Sequence, residues 1–265
     1  MNLAQLKYLA APVLLAAFLV QAPAAEQTAQ IPIDSSQVQR LAPNALPKVA
    51  SITPAEGALD VDPNLKEIVV VFDREMQPGF SWTGGGPEFP GDTNGRPVWK
   101  DARTCVMPAK LEPGRFYRFG LNSPSHQNFR STDGMPLRPK MFYFVTSGAT
   151  DEVKARTKRP QIVATNPPNG ATDADPATRE IRVTFDMPMA PGFSFTGGGS
   201  AQFPPIRQGE RPSWSEDRKT AILPVELKPH TEYRLGINSP TRSNFQSTNG
   251  IPAEPVIYSI KTRSQ

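Results

Sequence analysis

Two loops contain most of the side chains that could recognise a ligand. Residues 122–137 are NSPSHQNFRSTDGMPL and residues 238–253 are NSPTRSNFQSTNGIPA, so the same residue types recur in the same order. Asparagine amides donate and accept hydrogen bonds, and phenylalanine supplies an apolar anchor. One hypothesis is therefore a pair of recognition loops. Its candidate ligand-binding residues are Asn122, Asn128 and Phe129 in the first loop and Asn238, Asn244 and Phe245 in the second.

The same residue types also suit loops that pack on themselves. Asparagine often caps turns, and a glycine such as Gly134 or Gly250 adopts a positive φ without strain. Phe129 and Phe245 would then fill the end of the fold instead of contacting a partner. The residue types fit this second hypothesis well, and the sequence leaves both open.

Trp99 and Trp214 are further candidates for ligand binding, because they occupy matching positions after an Arg-Pro pair. An exposed indole could stack on a sugar ring or on a protein partner, whereas a buried one would be a core residue. We favour the core for both. At a third matched position, Trp82 is replaced by Phe195, an exchange that core packing explains easily.

Patterns typical of catalysis are missing from the sequence. It has no nucleophile elbow, no His-Glu-x-x-His and no Cys/His cluster, and its two histidines, His126 and His230, do not match each other. Glycine triplets at 84–86 and 197–199 are followed by no Lys-Ser/Thr, which argues against a phosphate loop. Cys105 lies in an apolar stretch, where we expect a buried small hydrophobe. The sequence therefore predicts a protein that is not an enzyme and that needs no cofactor.

Paired aspartates raise the question of a calcium site. Asp60 and Asp62 in one half of the chain match Asp173 and Asp175 in the other. Two carboxylates fall short of the roughly six to eight oxygen ligands that calcium takes. Capping of the turn at the proline that follows each pair is simpler. We therefore expect no metal.

Charge and the N-terminal residues bear on partners and location. The chain has 265 residues and a formal net charge of +4, with no basic block that would predict a nucleic-acid partner. Lys7 precedes the apolar run 8–20, and Ala22-Pro23-Ala24 supplies small residues for cleavage. We interpret residues 1–24 as a secretory signal peptide; the alternative is an uncleaved anchor helix. The mature chain is then exported, to the periplasm or outside the cell, without a membrane span.

The sequence aligns with itself, and this repeat defines the domains. Gly79–Gly86 matches Gly192–Gly199, and Arg96–Trp99 matches Arg211–Trp214. Two copies of about 100 residues result, each of ordinary domain size. The predicted organisation is a disordered spacer at 25–47, a first domain at 48–148, a linker at 149–159 and a second domain at 160–265.

Each copy has the pattern of β-strands. Residues 181–185 alternate apolar and polar, so Ile181, Val183 and Phe185 should face a core, as should their matches Ile68, Val70 and Phe72. The 30 prolines and 19 glycines punctuate the strands at a spacing typical of a β-sandwich. The other predicted strands lie near 103–111, 115–121 and 141–146, and near 219–227, 231–237 and 257–262.

A Leu-x-Pro turn precedes a tyrosine at the start of a strand in each copy, at 111–117 and 227–233. In a tyrosine corner, the phenol hydroxyl bonds back to such a turn and locks a Greek-key crossover. Tyr117 and Tyr233 are therefore expected to be structural.

These motifs together resemble a known family. Each copy resembles the S-layer-type bacterial Ig-like domain, the SbsA Ig-like family, through Pro-x-x-Gly-Ala-x-Asp-Val/Ala-Asp-Pro, then Phe-Asp-x-x-Met, then the Leu-x-Pro-x-x-x-Tyr turn. The resemblance implies an all-β chain of two tandem seven-stranded Ig-like Greek-key sandwiches. It also implies a spacer or adhesion module at bacterial surfaces, without catalysis. The Phe-Ser-Trp/Phe-Thr-Gly-Gly-Gly and Asn-Ser-Pro segments depart from the family pattern and mark a subtype.

The expected function is an exported, non-catalytic binding or structural module of the bacterial cell envelope. It would recognise an envelope or extracellular protein or glycan through the paired loops. Two alternatives stay open. An accessory secreted hydrolase or enzyme-inhibiting module would show a carboxylate pair, or His126, in a cleft between the domains. A passive spacer would bind nothing through its loops.

Overall fold

The structure is a computed structural model that describes residues 46–92 and 94–264. The predicted signal peptide and the predicted spacer up to residue 45 lie outside these residues. Leu46, where the described chain begins, is already buried.

Seven strands form the first domain, sandwich 1. They are β1 (Val49–Thr53), β2 (Glu67–Phe72), β3 (Trp82–Thr83), β4 (Val98–Trp99), β5 (Thr104–Pro108), β6 (Phe116–Leu121) and β7 (Lys140–Val145). One sheet has the order β1-β2-β5-β4 and the other β3-β6-β7, with antiparallel pairing throughout both. Four strands facing three in this order is the arrangement of a constant-type immunoglobulin sandwich, with its Greek-key connections.

Seven further strands repeat this arrangement in the second domain, sandwich 2. They are β8 (Ile162–Asn166), β9 (Glu180–Phe185), β10 (Phe195–Thr196), β11 (Ser213–Trp214), β12 (Thr220–Pro224), β13 (Glu232–Ile237) and β14 (Val256–Lys261). The sheet orders are β8-β9-β12-β11 and β10-β13-β14. The prediction of an all-β chain with two tandem Ig-like sandwiches is therefore confirmed.

Among the residues that the structure describes, two short helical segments interrupt the β-structure. A 3₁₀ turn (Gly86–Glu88) follows β3, and helix α1 (Asp151–Ala155) lies within the predicted linker. The Thr150 hydroxyl caps α1 by accepting the Val153 N–H at 3.4 Å. Such a cap satisfies one of the amides that the first turn of a helix leaves without a partner.

The alternating strands point their apolar side chains into the two cores, as predicted. Ile68, Val70 and Phe72 of β2 are buried, and so are Ile181, Val183 and Phe185 of β9. Burying one such side chain stabilises a fold by about 1.5–3 kcal/mol. Each copy thus builds its own core, and it does so from residues at matching positions.

Strand register brings the sequence motifs together at one end of each sandwich. Trp82 of β3 pairs with Leu121 of β6, so the 79–83 segment lies beside the start of loop 122–137. Phe195 of β10 pairs with Ile237 of β13 in the same way. The two segments that depart from the family pattern are therefore neighbours in space.

Candidate functional site

A buried asparagine holds each long loop in place. Asn122 has a φ of 60°, and its Nδ2 donates to the carbonyls of Phe129 at 3.0 Å and Leu137 at 2.8 Å. Its Oδ1 accepts the Phe129 N–H at 3.0 Å. Asn238 repeats the positive φ and makes three equivalent bonds, to Phe245 and Ala253. One side chain thus satisfies three backbone groups of its own loop.

The two loop phenylalanines are core residues. Phe129 is fully buried, with ring centroids 5.3 Å from Phe72 and 5.7 Å from Trp82. Phe245 is equally buried, and its ring lies 4.9 Å from Phe195. Of the candidate ligand-binding residues, Asn122, Phe129, Asn238 and Phe245 are therefore out of reach of a ligand, because the loops enclose them.

The two candidate tryptophans are half-buried and pack at the edges of the cores. The Trp99 indole N–H donates to the Pro78 carbonyl at 2.9 Å, and the Trp214 indole donates to Pro191 at 3.3 Å. Their rings also contact the loop phenylalanines, at 6.0 Å and 5.9 Å. Both polar and apolar parts of these side chains are thus engaged inside their own sandwich.

The tyrosines make the contacts of a tyrosine corner. The Tyr117 hydroxyl accepts the Glu112 N–H at 2.8 Å, and the Tyr233 hydroxyl accepts the Lys228 N–H at 2.8 Å. Each bond reaches back to the turn before the strand, which is the geometry of that motif. A structural role follows directly from this position.

The exposed ends of the two sandwiches differ at a matched phenylalanine. Phe193 stacks on Trp214, with centroids 5.3 Å apart and planes at 20°. Phe80, its match, is 37% exposed and contacts no other aromatic ring among the described residues. The same residue type is thus packed in sandwich 2 and free in sandwich 1.

The exposed asparagines of the two loops differ in the same way. Both backbone amides donate to a buried serine: Asn128 N–H to Ser81 Oγ at 3.1 Å and Asn244 N–H to Ser194 Oγ at 2.8 Å. The Asn244 side-chain amide also donates to the Phe193 carbonyl at 3.2 Å. The Asn128 side-chain amide has no hydrogen bond within the described part of the chain. All of its donor and acceptor groups are therefore available to a ligand.

A pocket of about 620 Å³ opens beside these free groups in sandwich 1. It lies between β3, the 86–97 segment and loop 122–137. Aromatic rings and uncharged polar groups share its lining, among them Phe80, Trp82, Phe89, Ser123, His126 and Asn128. Ser125 Oγ lies 3.0 Å from His126 Nδ1. The other ring nitrogen of His126, Nε2, has no hydrogen-bond partner among the described residues.

Small residues keep this pocket open. A Cβ on Gly91 would lie 2.4 Å from Phe89 Cε1 and 3.2 Å from Met107 Sδ, so the site tolerates only glycine with the ring in place. Gly91 forms an isolated bridge with Ala109, and in sandwich 2 the corresponding bridge is made by Ile206 with Val225. An exposed isoleucine side chain therefore stands at the matching surface of sandwich 2.

Sandwich 2 uses the tip of its loop to contact sandwich 1. Ile251 is fully buried in a cluster with Phe116, Tyr143 and Val145 of sandwich 1. Beside it, Arg118 Nη1 donates to the Asn249 carbonyl at 3.0 Å. The tip of loop 238–253 is therefore an interdomain contact.

Arg156, which follows α1, reinforces that contact. Its guanidinium donates to Asn249 Oδ1 at 3.2 Å and 3.1 Å and lies 4.3 Å above the Phe116 ring. It also pairs with Glu88, which Arg118 Nε approaches to 2.8 Å. Arg118 and Arg156 thus share the Glu88 carboxylate at the interface. Hydrogen bonds between charged groups are stronger than those between neutral groups.

A cleft between the two sandwiches contains two glutamates, each close to a cation. It measures about 910 Å³, and its lining contains Glu56 and Glu254. Lys140 Nζ lies 2.9 Å from the Glu56 carboxylate, and Arg159 Nη1 lies 3.1 Å from that of Glu254. Each of these two carboxylates is therefore engaged in an ion pair. His126 lies in the sandwich 1 pocket instead of this cleft.

Neither the cysteine nor the paired aspartates form a reactive or metal-binding cluster among the described residues. Burial raises the pKa of the Cys105 thiol to about 11, so the thiolate that reacts is scarce at neutral pH. Asp62 Oδ1 accepts the Asn64 N–H at 2.8 Å, and Asp175 Oδ1 accepts the Ala177 N–H at 2.8 Å. Both aspartates therefore cap the turn at the following proline.

Sequence reasoning missed Phe80, Gly91 and the interdomain contact. One signal was visible for the contact: matched β-strands differ sharply in residue type, with Phe116 and Tyr143 in the first copy where the second has Glu232 and Ser259. Aromatic residues at positions that are polar in a sister domain indicate a covered surface.

The second half of the chain matches a family of known fold. Residues 156–259 match the family model of a bacterial Ig-like domain. No curated protein matches the chain. The internal repeat extends the likeness from sandwich 2 to sandwich 1, which supports a bacterial Ig-like family. An Ig-like fold of this kind suggests a structural or binding module.

Several solved structures are similar to the chain. A chimeric titin Z1Z2–Z1Z2 tandem is 8% identical, with 83% of this chain and 99% of that chain covered and a TM-score of 0.33. The titin Z1Z2 domains in complex with telethonin are 11% identical, with 83% and 96% covered and a TM-score of 0.24. Domains 1–6 of the surface layer protein SbsC are 14% identical, with 82% and 26% covered and a TM-score of 0.26.

Within residues 46–92 and 94–264, no helix is both long enough and apolar enough to cross a bilayer.

Proposed function

We propose that this protein is an exported, non-catalytic recognition module of the bacterial cell envelope. Its two Ig-like sandwiches form one tandem unit, and the free end of sandwich 1 contacts the partner. The sequence alone suggested recognition through both paired loops, whereas this proposal assigns recognition to one end of sandwich 1. Export rests on the sequence of residues 1–24, which lie outside the described residues.

The observation that carries the proposal is the contrast between matched side chains. Phe193 and Asn244 have partners within sandwich 2. The Phe193 ring stacks on Trp214, and the Asn244 side-chain amide donates a 3.2 Å hydrogen bond to the Phe193 carbonyl. Phe80 and Asn128 are exposed, without ring or side-chain amide partners among the described residues. An exposed aromatic beside an unused amide is the composition of a binding surface, because both groups gain contacts when a partner arrives.

A crosslinked pull-down from the native cell envelope tests the proposal. The baits are the mature chain, a Phe80→Ala/Asn128→Ala variant and the matched Phe193→Ala/Asn244→Ala control, each first shown by circular dichroism to be folded. We expect the mature chain and the control to capture the same partner, and the first variant to lose it. Equal capture by all three baits, or equal loss in both variants, would contradict recognition by sandwich 1.

Location needs its own measurement. Cell fractionation should recover the protein from the periplasm or the medium, and N-terminal sequencing should start near Ala25. Recovery from the cytoplasm with Met1 retained would contradict export.

A rigid spacer is the second candidate function, and the interdomain contact favours it. Ile251 and the Arg156–Glu88 pair restrain the two sandwiches relative to each other. If the pull-down recovers no partner with any bait, the spacer replaces the recognition module as the conclusion.

A further inference from the structure

The pocket of sandwich 1 has a chemistry that restricts its ligand. Phe80, Trp82 and Phe89 supply aromatic surface, while Ser123 and Asn128 supply uncharged hydrogen-bonding groups. Such mixed linings bury the apolar body of a ligand and orient it with a few polar contacts. A ligand of this pocket must therefore present both apolar faces and many neutral hydrogen-bonding groups.

Charge narrows the choice further. No lysine or arginine is among the described residues that line the pocket. Its one carboxylate, that of Asp92, already accepts the Asn94 N–H at 2.9 Å. Phosphate- or carboxylate-rich ligands would find no lysine or arginine here, and a cationic ligand would find a single carboxylate. A neutral ligand fits best.

The size and openness of the pocket suit a part of a longer molecule. Its volume of about 620 Å³ lies within the ~300–1,000 Å³ usual for small-ligand sites. Gly91, which leaves no side chain in the space beside Phe89, keeps it accessible from the surface. One or two rings of a chain molecule could enter while the rest continues outside.

We propose that this pocket binds neutral sugar residues of an envelope glycan. The C–H face of a sugar ring stacks on the exposed Phe80 ring, and its hydroxyls bond the Asn128 amide, the serine hydroxyls and His126 Nε2. This inference rests on the proposed function, because it names the partner class of the same surface.

A peptide partner fits the surface less well. Peptides that add to a sheet need an exposed strand edge with several free backbone groups. The strand that borders the pocket, β3, is the edge strand of its sheet, but it contains only Trp82 and Thr83 and so offers few free backbone groups to a peptide. The saccharide is therefore the partner that the lining favours, and a protein is an outcome that the experiment can reveal.

Titration of the mature protein with neutral oligosaccharides tests the inference. The probes are chitohexaose, cellohexaose and maltohexaose, followed by calorimetry and by amide chemical shifts. We expect at least one of them to bind, with shifts centred on loop 122–137 and β3. Phe80→Ala/Asn128→Ala should weaken that binding at least tenfold, and His126→Ala several-fold.

The matched sandwich 2 variants Phe193→Ala/Asn244→Ala and Ile206→Ala serve as controls, and both should bind like the unmodified protein. A second test is Gly91→Ile, which introduces the sandwich 2 residue and should abolish binding while a thermal melt shows that the chain still folds. Should that variant unfold, Phe80→Ala/Asn128→Ala, which alters only exposed side chains, decides the question alone.

Two outcomes separate this inference from the proposed function. If no neutral saccharide binds but the envelope pull-down still depends on Phe80 and Asn128, the saccharide is wrong and the recognition surface stands, with a protein as its partner. If a saccharide binds equally well to the Phe80→Ala/Asn128→Ala variant, the site lies elsewhere and this inference is overturned.

Discussion

The two sandwiches have cores of the same design but differ on their surfaces. In both, a buried asparagine with a positive φ bonds three backbone groups, and a phenylalanine seven residues later fills the end of the core. Outside, sandwich 1 has a free Phe80 and an open pocket, whereas sandwich 2 has a stacked Phe193 and an exposed Ile206. The repeated motif therefore maintains the fold, and the residues around it decide what each end can contact.

The loop tips show the same division. Ile251 of sandwich 2 is buried against sandwich 1, while Met135, at the matching position of sandwich 1, is only half-buried. The face that receives Ile251 is built from Phe116, Tyr143 and Val145. On sandwich 2, register places Glu232, Ser259 and Lys261 at the matching positions. One copy thus presents a docking face and the other a solvated one, although the backbone is the same.

The largest effect that we predict tests the common core design. Phe129→Ala and Phe245→Ala should each destabilise their own sandwich by about 3–5 kcal/mol, because each removes a fully buried ring. Urea unfolding followed by tryptophan fluorescence measures both, since Trp214 reports on sandwich 2 and the other two tryptophans on sandwich 1. Phe80→Ala is the control and should cost less than about 1 kcal/mol. A Phe129→Ala protein as stable as the parent would show that the ring is not in the core.

An intermediate effect tests the difference between the loop tips. Ile251→Ala should cost about 2–4 kcal/mol and weaken the coupling between the sandwiches, because Ile251 is fully buried at their contact. Met135→Ala should cost about 1 kcal/mol or less, because that side chain is only half-buried. Scanning calorimetry measures the stability loss, and small-angle scattering measures the spread of interdomain angles. Equal losses for the two variants would contradict the interdomain contact.

The smallest effect tests the paired aspartates, which are alike in both copies. Excess EDTA should leave the melting temperature of the mature protein unchanged, because Asp62 and Asp175 bond backbone amides of their own turns. Differential scanning fluorimetry with and without added calcium measures this. A fall in melting temperature that calcium restores would show that a metal joins these turns.

Most of the fold could be predicted from local sequence patterns. The alternation in residues 181–185 identified β9, and the Leu-x-Pro-x-x-x-Tyr motif identified the turn before β6 and before β13. The predicted strand near 103–111 is observed as the shorter strand β5 (Thr104–Pro108), whose pairing with β2 runs to Pro108. Patterns of period two work here because each strand has one face in a core.

The candidate site was harder to predict, because matched residues have different surroundings. Phe80 and Phe193 stand in the same Gly-Phe-Ser context, so their local sequence predicts the same behaviour. Their packing nevertheless differs: Phe193 stacks on Trp214, which is distant in the chain, whereas Phe80 contacts no aromatic ring among the described residues. Side-chain contacts across a sandwich involve long sequence separations that no local pattern contains.

The sequence by itself determined the β-structure and the tyrosine corners, because each depends on residues within a few positions of one another. It also showed the two copies, because their motifs recur in the same order. Only the tertiary structure decided that Asn122 and Phe129 point inward, that Phe80 stays free and that Ile251 docks on sandwich 1. The physical reason is that exposure depends on what neighbouring strands bring to the same place. A residue's own chemistry permits several outcomes, and the surrounding packing selects one of them.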